Sequence, residues 1–429
     1  MKRVKRLLRL LAQVVFIRYA VLRERLESGA TFNPLDRSLR ANPYPAYRRL
    51  REKDPVHRSR MVDTWVLSRY EDIDAVLRDY RRFSNDDRRA SDRRLIRSAE
   101  VPSMLRLDPP DHTRLRSLVG KAFTPQATER LRPRVEAIAD SLLDQMGSAA
   151  RFDVITALAE PLPVIVIAEL LGVPPEDRDK FSAWSYHIER ALEPTFTEAE
   201  AKNVQQARAE LVAYFNGMIE LRRKHPSDDL LSNLIVAEDQ GARLTRDELI
   251  STLILLLVAG NVTTTGLIGN GLLALLQHPD QLQRLRAEPE LLESAIEELL
   301  RFDSPVHIDS RIAAEDVEIG GKRIRKGQFV LMLLGEANRD PEVYPNPDRL
   351  DLGRTGRPHI AFGRGIHHCL GAPLARVEAQ AAFQKLLKRY PDLHLDGTPA
   401  FGDGVVIRSV KSLTVGVARS PVRSSATPA

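Results

Sequence analysis

Apolar positions along the chain recur mostly at helical spacing, and the two-residue alternation of strands is confined to short segments. After a basic, leucine-rich opening, Asn42, Pro43 and Pro45 begin a short helix that runs through Leu50. Alternation from Val56 to Met61 and from Thr64 to Ser68 predicts a hairpin, and Glu71 to Arg78 returns to helix. The polar, arginine-rich stretch from Ser84 to Glu100 predicts a long loop, a feature that often carries function. Asp108, Pro109, Pro110 and Asp111 make a turn ahead of a helix that starts near His112. Helical spacing dominates from Pro125 to His225, with a break at Glu193, Pro194 and Thr195. Leu249 to Leu276 predicts one long helix; its first half, Leu253 to Val258, is apolar all round, as in a helix through the centre of a large fold. A helix from Pro289 to Phe302 follows, then short strands at Val317 to Ile319, Lys322 to Ile324 and Gln328 to Leu333. An irregular region runs from Asp340 to Pro358, and a last helix spans Gly371 to Tyr390, with Pro373 in its first turn. The expected fold class is mainly α with small β-sheets near both ends of the chain, not a doubly wound alternation of strand and helix.

The pattern divides the chain into three regions. Residues 1–31 form a basic amphipathic extension, residues 32–416 the body, and residues 417–429 a Ser-, Pro- and Ala-rich tail expected to be disordered. In the extension Lys2, Arg3, Lys5, Arg6 and Arg9 interleave with Leu7, Leu8, Leu10 and Leu11, and Arg18 ends the apolar run from Val14 to Ile17. That run is too short to span a bilayer, and no small-residue cleavage site follows. A helix lying on a membrane surface, a helix packed on the body and a transit peptide all stay open.

Composition narrows the class only slightly. The 429 residues are 43% hydrophobic and 28% charged, as in a globular protein. The 64 basic and 58 acidic residues give a net charge of +6, spread along the chain. That excess suits an acidic partner or a membrane surface and gives no argument for nucleic acid. One cysteine, Cys369, cannot form an internal disulfide, so an oxidising compartment is not needed and a cytoplasmic location is expected.

That cysteine sits in the run Phe362-Gly363-Arg364-Gly365-Ile366-His367-His368-Cys369-Leu370-Gly371, just ahead of the last predicted helix. Glycines let the backbone bend and approach a flat group, and a helix N-terminus favours thiolate over thiol. The run resembles the haem-binding loop of the cytochrome P450 family at Phe362, Gly363, Gly365, His367, Cys369 and Gly371, and Ala372, Leu374, Ala375 and Arg376 resemble its bacterial soluble branch. The resemblance covers about residues 32 to 416. It implies the cytochrome P450 fold, haem b as cofactor, and Cys369 as axial ligand of the iron. A competing reading gathers His359, His367, His368 and Cys369 around zinc, but His368 and Cys369 are adjacent and would point apart.

Further residues fit the resemblance. His112 and Arg116, four apart, look like the family's propionate-binding helix, and Arg311 and His367 match its remaining propionate contacts. Glu298 and Arg301 share a helix face and look like the family's buried ion network, with Arg349 as third member. The same Glu-x-x-Arg spacing at Glu129/Arg132, Glu220/Arg223 and Glu336/Arg339 reads as solvated surface pairs. In the long helix the resemblance gives catalytic roles to Gly260, Asn261 and Thr263: Gly260 lets the helix deform, and Thr263 donates a hydrogen bond on the oxygen side and helps proton delivery. On its residue type alone, Thr263 fits equally a hydroxyl bonded back to its own helix.

Val262 departs from the family, which has Asp or Glu there, so proton transfer must use water and Thr263, use another acid, or be bypassed by peroxide. A haem-binding sensor or carrier without turnover is the alternative that this valine motivates. Ala259, Val262, Val306 and His307 are the substrate-pocket residues the resemblance implies, suiting a mostly apolar small molecule such as a fatty acid, terpenoid, steroid or polyketide. Electrons would come from a ferredoxin and its reductase, attracted by Arg114, Lys121 and Arg364. The function implied is haem-thiolate monooxygenation, most simply hydroxylation.

Overall fold

The computed structural model describes residues 2–36, 38–92, 103–147, 149–193, 197–239 and 244–417, without the side chains of residues 2–14 and 41. The expected break at Pro194, the tail from 418 onward and much of the arginine-rich loop lie outside the described residues.

In chain order the helices are α1 (Lys2–Ser28), α2 (Ser38–Ala41), α3 (Tyr44–Lys53), α4 (Tyr70–Arg78) and α5 (Asp111–Gly120). Then come α6 (Pro125–Met146), α7 (Pro161–Leu170), α8 (Arg178–Glu189), α9 (Glu198–Lys224) and α10 (Leu230–Asp239). The C-terminal half holds α11 (Arg246–Gln277), α12 (Pro279–Ala287), α13 (Leu292–Phe302), α14 (Leu334–Ala337) and α15 (Ala372–Arg389). The strands are β1 (Val56–Ser59), β2 (Thr64–Leu67), β3 (Phe83–Ser84), β4 (Arg151–Asp153), β5 (Ile308–Ala313), β6 (Val317–Ile319), β7 (Lys322–Ile324), β8 (Phe329–Leu333), β9 (His394–Leu395), β10 (Ala400–Phe401), β11 (Val410–Ser412) and β12 (Thr414–Gly416).

One five-stranded sheet, ordered β1-β2-β8-β5-β3, joins the early hairpin to the late strands, and β4-β12-β9 ties mid-chain to the C-terminus. The mainly helical reading therefore holds, with small sheets. Of the elements that escape it, two show the reason. β5 has no clean alternation, since Ile312 and Ala313 are buried in succession while Asp309 and Ser310 are half-buried. α12 begins at Pro279 right after α11 ends, so its pattern merges with its neighbour's.

Helix α11 positions the site. Thr245 caps it and Glu248 closes a capping box, which fixes where it starts. It packs against α7, α8, α13 and α15 and is buried along most of its length. It is the one described helix long and apolar enough to cross a membrane, and its 72% burial identifies it as a core helix.

Candidate active site

The loop ahead of α15 turns on two glycines with positive φ, Gly363 at +67° and Gly365 at +68°. A Cβ on Gly365 would lie 2.5 Å from the Leu77 carbonyl oxygen, so only glycine fits there. The Cys369 amide donates to the Phe362 carbonyl at 2.9 Å and closes the loop. The Gly371 and Ala372 N–H groups, at the start of α15, donate to the Cys369 sulfur. Sequence reasoning expects these donors to ionise the thiol. Instead burial pushes it up, outweighing the amides and the Arg116 and Arg376 charges. The sulfur would give up this proton on binding iron as a thiolate. Cys369 is accessible yet enclosed by protein, as happens when a side chain borders an interior hollow.

Basic groups gather beside it. The His112 and His367 rings lie 4.2 Å apart, and the His112 Nδ1 and His367 Nε2 atoms are buried without a hydrogen-bond partner. Burial and the neighbouring His112, Arg311, Arg116 and Arg106 charges drive His367 down to about 2, so it is neutral. Arg116 donates to the His368 carbonyl at 2.6 Å, and Arg311 pairs with Asp309 at 2.8 Å. Buried imidazole nitrogens left unpaired among arginines ask for an anionic ligand. Haem, with a flat apolar ring and two carboxylates, fits this donor set. Arg106 was missed from the sequence, because a lone arginine before a turn carries no signal.

On α11, Ala259 is exposed and Thr263 half-exposed in the middle of an otherwise largely buried stretch. The Thr263 hydroxyl donates to the Ala259 carbonyl at 2.8 Å, within its own helix. One of the expected catalytic residues is corrected here. Asn261 is 4% exposed and lies on the opposite side of the helix, where its carbonyl and side-chain oxygens accept from Thr265. Gly260 sits against α7, where a Cβ would come 3.3 Å from the Ile167 side chain. Val262 is buried.

Glu378 of α15 was also missed. It is 2% exposed, and burial raises its carboxyl to about 8 despite a hydrogen bond from the Thr264 hydroxyl of α11. A single Glu in a helix gives no sequence cue to this.

The ion network forms around Glu298, which accepts from Arg301 at 2.6 and 2.8 Å. Its third member is corrected: Arg354 donates to both Glu298 oxygens at 3.1 Å, while Arg349 is exposed and offers only its carbonyl. Arg301 also donates to the Asn338 carbonyl at 2.9 Å, and the Asn338 side chain accepts from the Ile360 amide at 2.8 Å, which links the network to the cysteine loop. The neighbouring Glu297 holds that loop directly. It accepts from Arg376 at 2.6 Å and pairs with His359 at 3.1 Å, and Arg376 lies 4.7 Å from the Phe362 ring centroid. Burial opposes the Glu297 charge, but these two partners hold its carboxyl down at about 2.

The remaining expectations resolve as follows. His307 is 1% exposed and set against the Tyr44 and Tyr47 rings, with Asp303 3.4 Å from its Nε2, so it is a core residue and not a substrate contact. Val306 is half-buried and bridges to Ile407. Glu129/Arg132 and Glu220/Arg223 are surface pairs as expected, but Glu336 is buried against Arg51, and Arg339 stacks 3.5 Å from the Tyr44 centroid. No group of three or more metal-binding side chains occurs among the described residues, so the zinc reading fails. Arg114 is taken up by Glu248 at 2.6 Å and Arg364 by the Pro358 carbonyl at 2.8 Å, which leaves Lys121 the exposed cation of the three. A cleft of about 750 Å³ between α8 and α9, lined by Trp184, Glu210 and Tyr214, contains none of these residues.

Comparison with known proteins agrees with this geometry. The family model "Cytochrome P450" matches residues 32–397. The polyketide biosynthesis cytochrome P450 PksS of Bacillus subtilis is 41% identical over 406 residues, covering 90% of this chain and 99% of that protein. The vitamin D(3) 25-hydroxylase of Pseudonocardia autotrophica is 42% identical over 391 residues, 89% of this chain and 93% of its own. The crystal structure of CYP109E1 from Bacillus megaterium in complex with testosterone superposes with a TM-score of 0.81 at 36% identity, covering 88% of this chain and 98% of that one.

Proposed function

We propose that this chain, which belongs to the cytochrome P450 family, holds its haem through the Cys369 sulfur and hydroxylates a mostly apolar small molecule. As a member of that family it is a haem-dependent monooxygenase, an oxidoreductase acting on small molecules. When bound, haem supplies the activation of dioxygen.

The observation that carries the site assignment is a lone, accessible cysteine two residues from His367, whose ring lies 4.2 Å from that of His112, with a buried nitrogen of each imidazole left without a hydrogen-bond partner. In this reading His112, Arg116, Arg311 and His367, joined by Arg106, receive the propionates. Phe362, Gly363, Gly365 and Gly371 shape the loop that presents the sulfur. Glu297, through Arg376 and His359, keeps that loop in place. Ala259, Val262 and Val306 form the apolar wall toward the substrate, and Thr263 is the hydroxyl on that face. Val262 holds no proton, and Glu378, hydrogen-bonded to Thr264, is the acid this reading sets in its place.

The relatives named for polyketide biosynthesis and vitamin D hydroxylation, and the neighbour holding testosterone, support a polyketide, steroid-like or similarly sized apolar substrate. Electrons would come from a ferredoxin and its reductase, docking where Lys121 lies exposed on the thiolate side.

The test is optical. Reduced holoprotein treated with carbon monoxide should show the far red-shifted Soret band of thiolate coordination, and Cys369→Ala should lose it. Folded protein that takes up no porphyrin, or a spectrum indifferent to Cys369→Ala, would end the assignment.

A further inference from the structure

Helix α1 lies ahead of the matched family region, and the oxygenation reading gives it no work. Its side chains are described from Val15 onward, and they divide into two faces. Ala20 and Glu24 are buried against the body, with Ile17, Val21 and Ser28 half-buried alongside them. Five large apolar side chains point away: Val15 is 65% exposed, Phe16 54%, Tyr19 55%, Leu22 57% and Leu26 75%. At 3.6 residues per turn, Val15, Tyr19, Leu22 and Leu26 fall on one narrow stripe, diametrically opposite Ala20, Glu24 and Ser28.

The orientation of that stripe is fixed. The Glu24 carboxylate accepts from the Phe32 amide at 3.1 Å, the Ser59 hydroxyl at 3.2 Å and the Arg60 amide at 2.6 Å, and pairs with His57 at 3.2 Å. A buried carboxylate with so many partners prevents the helix from rolling to hide its apolar side. These are also most of the exposed large apolar side chains in the N-terminal part of the chain, on a surface where single ones are ordinary and a continuous row is not.

Charge selects the occupant. Between Lys2 and Arg23 the helix has seven basic residues, Lys2, Arg3, Lys5, Arg6, Arg9, Arg18 and Arg23, and no Asp or Glu. Arg18 and Arg25, both exposed, flank the stripe on one side; on the other side Arg23 is paired with the exposed Glu27 at 2.6 Å. An apolar row bordered by cations matches an anionic lipid surface, with apolar side chains among acyl chains and arginines at headgroups. Basic residues interrupt the helix too often for it to cross a bilayer, so it would lie in the plane.

We propose that α1 is an in-plane membrane-docking helix that holds the folded enzyme on anionic lipid through Val15, Tyr19, Leu22 and Leu26. The inference does not depend on the substrate or on the identity of the haem ligand.

Full-length holoprotein should be sedimented with vesicles of phosphatidylcholine alone and with vesicles containing phosphatidylglycerol. Binding should appear with the anionic vesicles and weaken as salt is added. Leu22→Gln with Leu26→Gln should reduce partitioning on the order of tenfold while leaving the carbon monoxide spectrum unchanged. K2Q with K5Q, at the opposite end of α1 from Glu24, should weaken binding independently, which covers the case where the stripe variant folds poorly. Equal binding to neutral vesicles, or no loss in either variant, would overturn the proposal. So would a concentration-dependent dimer in lipid-free solution that the stripe variant breaks, because the stripe would then belong to a second copy.

Discussion

Glu378 is an unusual residue to find between two packed helices. Burial holds its carboxyl up at about 8, with one hydroxyl, that of Thr264, working the other way. Near neutral pH it therefore keeps a proton, one residue along α11 from Thr263. Position 262 is valine, and Glu378 is an acid tied to the neighbouring position of that helix through Thr264. The cost to stability has a definite sign. A carboxyl raised in the folded state leaves the fold most stable below its unfolded value near 4.5, and stability declines as pH rises toward 8. Glu378→Gln cannot ionise, so it should equal wild type in urea at about pH 4.5 and exceed it by on the order of 3 kcal/mol at about pH 9. If the residue also holds the proton used in turnover, the same variant should release more hydrogen peroxide per electron pair consumed, and Val262→Glu in that background should restore coupling. Unchanged coupling in Glu378→Gln would leave the residue a buried structural acid.

At the scale of elements, adjacent glutamates on α13 serve different partners. Glu298 organises the irregular segment around 345–354 through Arg301 and Arg354, and Glu297 reaches the cysteine loop through Arg376 and His359. Arg301→Leu leaves a buried carboxylate short of its main partner and should cost about 3–5 kcal/mol in urea unfolding of the holoprotein. Arg354→Leu should cost less, because Arg301 remains, and Arg349→Ala, exposed and contributing only a carbonyl, should stay within about 0.5 kcal/mol. Equal losses at 349 and 354 would reject this ordering. The contrast also shows how far the sequence could be read. Helices α4, α11, α13 and α15, the first hairpin and the cysteine loop were legible, because period, caps and glycines are local signals. Arg354 was not, since two arginines five apart in an irregular segment look alike until the chain folds. His307 and Asn261 were misplaced for a similar reason: position near a motif says nothing about which side of the backbone a side chain leaves. Glu378, Glu297 and Arg106 act across elements, and no spacing along one element could have marked them.

For the whole molecule, the junction between α1 and the body turns on a few titratable groups. His57 is 1% exposed and lies between Glu24 at 3.2 Å and Asp54 at 2.9 Å, with Lys322 also on Asp54. Burial opposes the imidazolium, yet the hydrogen bonds and charges of the two carboxylates prevail and raise His57 above its usual 6.5. A raised histidine contributes stability that is complete below 6.5 and disappears as pH climbs through its folded value. Burial also opposes the charge on Glu24 and Asp54, but His57 holds both below their usual 4.5 and 3.8, so their contribution is present above those values and is lost as pH falls through the lowered ones. The docking of α1 should therefore be strongest between about pH 5 and 6.5 and should loosen first on the alkaline side, when the neutral ring leaves two buried carboxylates facing each other. Hydrogen exchange of the α1 amides from Tyr19 to Ser28, corrected for intrinsic rate, should show protection falling above neutral pH while that of α11 stays constant. His57→Gln should remove the alkaline loss and lower protection throughout. Protection of α1 that rises or stays level from about pH 6 to 9 would mean that this buried triad does not govern the junction.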